Sequence, residues 1–400
     1  MHRLALLFAV ALTACSDRSS MPTAATPAVQ VNAAAATLAP SVRLDADDPQ
    51  TCAPCHASVV AEWLESQHAH AHHDSDPLYA AMRTLRTQKQ GAHIPSVCAR
   101  CHTPRDLEQH DSATAKTGVA CAACHQLDAV HLDGDQKGAD ALVRGPELLF
   151  RGPHDVQDGV SPVHRNGPAH PALVDGTTLC LACHQEERNA AGVPTCTTGI
   201  EHATTEDRAS CTACHMELVP GPSGLVSQRP EHRSHRFRGP MHALRSGDAS
   251  LLASGVALSG RFDGDRVLVT IENRAQHGFP TGFPGRVAVL VVRALDGAGA
   301  QLFVNVTKNP AQEHPEAVFG KAYVDADGKP SLAPFAAKLA RDSRLLPGER
   351  RELAVLVPSG TVRVEAHVRF VLAADGMVKA LAYQGPETKP LSLPPVVITR

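Results

Sequence analysis

Five copies of one five-residue unit hold the residues best suited to chemistry: Cys52-Ala-Pro-Cys55-His56, Cys98-Ala-Arg-Cys101-His102, Cys121-Ala-Ala-Cys124-His125, Cys180-Leu-Ala-Cys183-His184 and Cys211-Thr-Ala-Cys214-His215. One copy alone would equally suit a zinc knuckle or a redox dithiol. Repeated five times, Cys-x-x-Cys-His is the attachment unit of c-type haem. The two thiols add to the porphyrin vinyls, and the tight spacing sets the adjacent imidazole on the proximal side of the iron. The expected cofactor is therefore haem c, five copies, covalently attached.

Each iron has a second axial position that the proximal histidine cannot reach. Fifteen histidines lie outside the five units between residues 46 and 277, which is more than enough to supply it. His/His ligation saturates the iron and favours electron transfer over substrate chemistry.

The elements that must position these groups are unusual. Between residues 46 and 245 the only aromatic side chains of the Phe, Tyr and Trp type are Trp63, Tyr79, Phe150 and Phe237. So few large rings cannot build an ordinary core, and several flat, mostly apolar porphyrins would fill that place. Short helical stretches are expected at Ser58 to Gln67 and Pro77 to Gln88. Past about residue 246 the Cys-His units stop and alternating patterns begin. Thr361 to Leu372 alternates apolar and polar residues almost perfectly, and Val267, Val269 and Ile271 do the same. Val287 to Val292, Leu302 to Val306, Leu353 to Val357 and Val396 to Thr399 add further strands. About seven short strands predict an antiparallel, immunoglobulin-like β-sandwich.

The N-terminus carries His2 and Arg3, an apolar run from Leu4 to Leu12, and Leu12-Thr13-Ala14-Cys15, which resembles a bacterial lipoprotein cleavage box. The expected organisation is a lipoprotein-type signal peptide over 1–15, a flexible linker over 16–45, a pentahaem domain over 46–245 and a β-sandwich over 246–400. Membrane contact would come from a lipid on Cys15, which places the protein in the periplasm or at the outer membrane. Cys196 is left over and reads as a buried or free thiol. The net charge of −3 offers no electrostatic footprint for nucleic acid.

Cys52-x-x-Cys55-His56 followed by Trp63-x-x-Ser66-x-His68-Ala69 resembles the opening of the multihaem cytochrome c-554 family, which is related to the hydroxylamine oxidoreductase haem array. Further matches are Gly118-Val-x-Cys121-x-x-Cys124-His125 with His131, and Ser161-Pro-x-His164 ahead of Leu179-Cys180. Gly192-Val-Pro with Thr197-Thr198, and Cys211-x-x-Cys214-His215-Met216 with His235-Arg-Phe-x-Gly239, extend the resemblance over about residues 50 to 245. It implies distal ligand roles for His68, His131, His164 and His235, with His70, His170, His232 and His242 as alternatives. The chain departs from the enzymes related to that family: no Cys-x-x-Cys-Lys unit occurs, and Tyr79 lacks a context suggesting a crosslink to haem.

The segment His277-Gly-Phe-Pro-Thr-Gly-Phe-Pro-Gly-Arg286 falls between two expected strands. Phe279 and Phe283 would be costly to expose, and the haem half offers apolar surface for them. His-x-x-Pro-Thr-Gly also resembles a loop of other multihaem cytochromes with a β-domain, which implies that His277 supplies the fifth distal ligand, with Arg286 near a propionate. A surface hairpin with a solvated histidine is the other reading. The leading functional expectation is an envelope electron carrier exchanging electrons with other redox proteins. The alternatives are an oxidoreductase acting on a small nitrogen or oxygen compound at a five-coordinate haem, and a binding module in which the sandwich docks a partner.

Overall fold

A computed structural model describes residues 43–134, 136–206 and 208–400. The expected signal peptide, Cys15 and most of the linker lie outside these residues. The N-terminal half is a chain of short helices: α1 (Ala53–Leu64), α2 (Pro77–Gln90), α3 (Ile94–His102), α4 (Cys121–His125), α5 (Thr178–His184), α6 (Thr198–Ala203) and α7 (Cys211–His215). Four of them end on the histidine of a Cys-x-x-Cys-His unit. In the first unit the backbone breaks from helical geometry at His56 (φ −120°, ψ 42°) before α1 continues. Cysteines at i and i+3 share one face of a helical turn, so each unit aims both sulfurs the same way.

Helix α1 begins inside the first unit rather than at Ser58, because Pro54 in its first turn needs no hydrogen-bond partner for its nitrogen. Helix α2 starts where expected: Asp76 accepts the Tyr79 N–H at 2.9 Å and Pro77 opens the first turn.

Many of the buried residues before 245 are small or polar: Ala115, Ala122 and Ala141 are fully covered, as are Ser66 and His72, while large apolar ones such as Leu127 and Ile94 are scattered. Among the described residues, no cluster of buried hydrophobic side chains is built from this half alone. Such a half cannot hold itself together by apolar packing between its own side chains.

The C-terminal half is antiparallel sheet. One sheet has β1 (Val256–Asp263), β2 (Arg266–Asn273) and β7 (Arg350–Leu356), with β2 central; the other is built on β3 (Val287–Leu295), flanked by β4 (Gln301–Val304) and β8 (Arg363–Val371), with β9 (Val396–Thr399) on β8. Val267, Val269 and Ile271 of β2 share one core with Leu290 and Val292 of β3 and Val364, Val368 and Phe370 of β8, so the sheets meet face to face. A smaller sheet contains β5 (Lys321–Val324) and β6 (Lys338–Asp342). Strands β1, β5 and β6 lack the clean alternation that exposed the others.

Two hydrophobic clusters join the halves. Leu78 and Met82 of α2 pack with Phe283, Tyr383 and Met377, the last on α8 (Asp375–Leu381); Val193 packs with Tyr323, Ala333 and Ala336. Phe279 departs from expectation: it is buried in the sheet core, edge-to-face on Phe370 at 5.9 Å, and does not cover the haem half. Its N–H and carbonyl bridge to Leu345, which fixes it there.

Candidate haem centres

Four imidazole pairs stand out. Ring centres are 6.4 Å apart for His56 and His164, 6.4 Å for His184 and His68, 6.1 Å for His125 and His235, and 6.3 Å for His215 and His277, with interplanar angles of 20° to 40°. Two metal–imidazole bonds of about 2 Å, plus roughly 1.1 Å from each ring centre to its nitrogen, span about 6.3 Å. Each pair is thus spaced for one iron, and each joins the histidine of an attachment unit to one outside all five.

The hydrogen bonds decide which nitrogen is available. Nδ1 donates to a main-chain carbonyl in His56 (Ser223, 2.7 Å), His125 (Arg151, 2.8 Å), His215 (Arg238, 2.5 Å), His235 (Arg233, 2.9 Å), His277 (Gly278, 3.1 Å) and His164 (Arg165, 3.2 Å). His102 does the same to Ala71 at 2.9 Å. A carbonyl can only accept, so the proton sits on Nδ1 and Nε2 is left with a lone pair to ligate. Burial favours the neutral, ligating form of His102, His125, His164 and His215. Burial also lowers His68, the partner of His184, to about 3, helped by His184 and His235, and His235 to about 3, helped by His125; His184 and His277 fall to about 4.

Three of the four alternative histidines are spent elsewhere. Nε2 of His70 donates to the Leu64 carbonyl at 3.0 Å and that of His170 to Asp128 at 3.2 Å. His232 uses both nitrogens, on the Gly221 carbonyl and on Glu62. His242 is buried with no hydrogen-bond partner on Nδ1. His131 is exposed just past the short strand Leu127–Val130 and is not brought opposite any of the five proximal rings. Its main-chain N–H donates to Ala141, which holds that segment at the surface.

The unit at His102 differs. Its ring stacks on Tyr79, 3.8 Å centre to centre and 11° from parallel, a face-to-face packing on the ring's flank and not a pairing across an iron. Tyr79 also hydrogen-bonds to Cys98 of the same unit, and burial pushes its phenol up. Nothing in the sequence around Tyr79 points to His102; the pairing comes from helix α2 lying against α3.

Sulfurs of different units meet: Cys52 with Cys121, Cys101 with Cys183, and Cys180 with Cys211 are hydrogen-bonded. The eleven described cysteines form no disulfide. The residue between the pairs is Phe237, which meets His68 edge-on at 4.2 Å and His235 at 5.8 Å. Its backbone is left-handed (φ 46°), a conformation that costs a side-chain-bearing residue about 1 kcal/mol. Cys196 is a free thiol, with its sulfur 3.6 Å from the Thr198 hydroxyl. Arg286 donates to the Thr281 carbonyl at 2.9 Å, and no carboxylate pairs with it among the described residues.

Residues 51–126 match the family described as "Cytochrome c554 and c-prime". The whole fold is similar to the crystal structure of a penta-heme cytochrome c552 from Thermochromatium tepidum, with a TM-score of 0.71 and 24% identity over 87% of this chain and 97% of that one. No curated protein matches the chain. The chain has that fold, and its five attachment units are those of a multihaem c-type cytochrome. Covalently bound haem c is its cofactor, and the residues present fit it: paired thiols on one helical face, imidazoles with free Nε2, and an N-terminal half without an apolar core of its own. The haem supplies the redox-active iron; the cytochrome's own residues orient it and exclude water from it. None of the described helices is long and apolar enough to cross a membrane.

Proposed function

We propose that this cytochrome carries five haems and passes electrons along them within the cell envelope. Four irons take two imidazoles each: His56 with His164, His125 with His235, His184 with His68, and His215 with His277. His102 is the proximal ligand of the fifth. The observation that carries this reading is the set of four ring pairs at 6.1 to 6.4 Å. Contacts between Cys52 and Cys121, Cys101 and Cys183, and Cys180 and Cys211 support a connected array, with the Cys180 unit adjoining two others. The potentials would follow from axial ligands, hydrogen bonds and burial. Arg286, which lowers both His184 and His215, is assigned to a propionate.

In this reading the haem domain spans 46–245 and an immunoglobulin-like sandwich spans 246–400. A lipid on Cys15 holds the protein at the periplasmic or outer membrane, and its partners are other redox proteins. Intact mass together with EPR of the ferric protein tests the proposal: five haems and four bis-imidazole low-spin signals support it, and fewer than four such signals refute it.

A second reading rests on His102. Among the described residues its one ring partner is Tyr79, stacked on its own face, and an iron held by that imidazole alone keeps a position for a small nitrogen or oxygen compound, which is the chemistry of an oxidoreductase. A high-spin signal that responds to cyanide would favour it.

A further inference from the structure

The loop that carries His277 is held from the other half of the molecule. Glu201, on α6, points a carboxylate that is 8% exposed at that loop. Oε2 accepts the Gly278 N–H at 2.9 Å and the Thr281 hydroxyl at 2.7 Å. Oε1 accepts Arg344 at 2.6 Å and the hydroxyl of Thr197. All four partners are donors, so the carboxylate is fully satisfied, as a buried charge must be. Two of the four lie within four residues of His277.

The approach is close enough to dictate sequence. A Cβ on residue 278 would come 2.9 Å from Oε2 of Glu201 and 3.0 Å from Arg344, so the backbone can reach the carboxylate only because residue 278 is glycine. The Thr281 hydroxyl adds a contact of 3.0 Å to Thr198, again on α6. On its other side the loop is tied to the sheets, where Asn273 donates to the His277 carbonyl at 2.8 Å.

We infer that Glu201 is the positioning residue for the β-half's haem ligand: by holding Gly278 and Thr281 it fixes His277 opposite His215. This rests on the reading that His215 and His277 share one iron. The sheet half is then part of a haem site, and contact between the halves sets the ligand state of that haem.

The test uses the purified holoprotein, with low-temperature EPR and mediated redox titration. Glu201→Ala is expected to lose one low-spin signal to a high-spin one and leave the rest in place. Thr281→Val, which removes a neutral hydroxyl only, is expected to shift the g-values of that same haem without a high-spin signal. Arg344→Gln, which breaks the ion pair between the halves but leaves Gly278 and Thr281 bonded to Glu201, is expected to keep all low-spin signals. A Glu201→Ala protein with every signal as in the parent overturns the inference, as does equal loss of the signal in Arg344→Gln, the result of a mere clamp. If Glu201→Ala does not mature, unchanged g-values in Thr281→Val overturn it. His277→Ala separates the layers: if it alters no haem, the shared-iron reading fails and the inference with it. If it alters one haem while Glu201→Ala alters none, only the inference fails.

Discussion

Oε2 of Glu62 accepts the main-chain N–H of His235 at 2.9 Å, across 173 residues of chain. The same carboxylate meets His232 at 3.3 Å and Arg236 at 3.2 Å while only 5% exposed. Helix α1, which grows out of the first attachment unit, thereby fixes the ring opposite His125 of the third. Removing the carboxylate strands the buried His235 N–H and the His232 ring nitrogen, while Arg236 keeps Glu65 at 2.8 Å, at a cost of roughly 1–3 kcal/mol. Glu62→Ala should lower the Tm of the holoprotein and broaden or convert the low-spin signal of the His125 haem. An unchanged EPR spectrum with a normal Tm would contradict this.

His164 faces His56 across 6.4 Å from the end of the loop before the short strand Arg165–Asn166. His164→Ala should therefore convert one haem to high spin and leave the fold intact. Added imidazole should restore the low-spin signal, since the position vacated fits a free ring. Failure of imidazole to bind would show that His164 is not opposite an iron.

Phe237 touches two distal rings at once, His68 at 4.2 Å and His235 at 5.8 Å. Phe237→Ala should shift the potentials of two haems together, those of the His184 and His125 units, and leave the His56 unit as it was. Because the ring is half-buried, the stability loss should be about 1–2 kcal/mol. A change confined to one haem would break the assignment of these neighbours.

Cys15 closes a lipoprotein-like box in the sequence but lies outside the described residues. If the box is read by the export machinery, Cys15→Ala should release the protein from membranes or block its processing. A variant that still fractionates with membranes as the parent does would remove the lipid anchor.

How much of this was legible in the sequence follows from how each signal is written. The attachment units are contiguous, so Cys52 to His215 could be read directly. Strands β2 and β8 were equally plain, because one buried face imposes a period of two. For His68, His164, His235 and His277 a ligand role follows from resemblance alone, and each ring lies opposite the histidine of an attachment unit; His131, expected on the same ground, sits at the surface, held by its bond to Ala141. Tyr79, Phe237, Glu62 and Glu201 act through partners far away in the chain, and no local pattern marks such contacts. Glu201 left one trace, the glycine at 278, whose need is steric and visible only in three dimensions.

The His102 haem offers the sharpest test of whether this cytochrome does more than carry electrons. Tyr79 lies flat on His102 at 3.8 Å, with Asp76 capping the helix that presents it and Cys98 on its hydroxyl. That packing buttresses the His102 ring from its face and sets no second imidazole opposite it. Cyanide should then bind one haem of the oxidised protein and leave the four bis-imidazole signals unchanged. A packed ring of this kind is worth about 0.5–1.5 kcal/mol, so Tyr79→Ala should loosen the His102 ligand and change cyanide binding at that haem by up to about tenfold. Tyr79→Phe, which keeps the ring and loses the hydroxyl, should bind at nearly the parent's rate. A protein in which no haem takes cyanide, and all five are low-spin, would leave His102 with a second strong ligand and end the oxidoreductase reading.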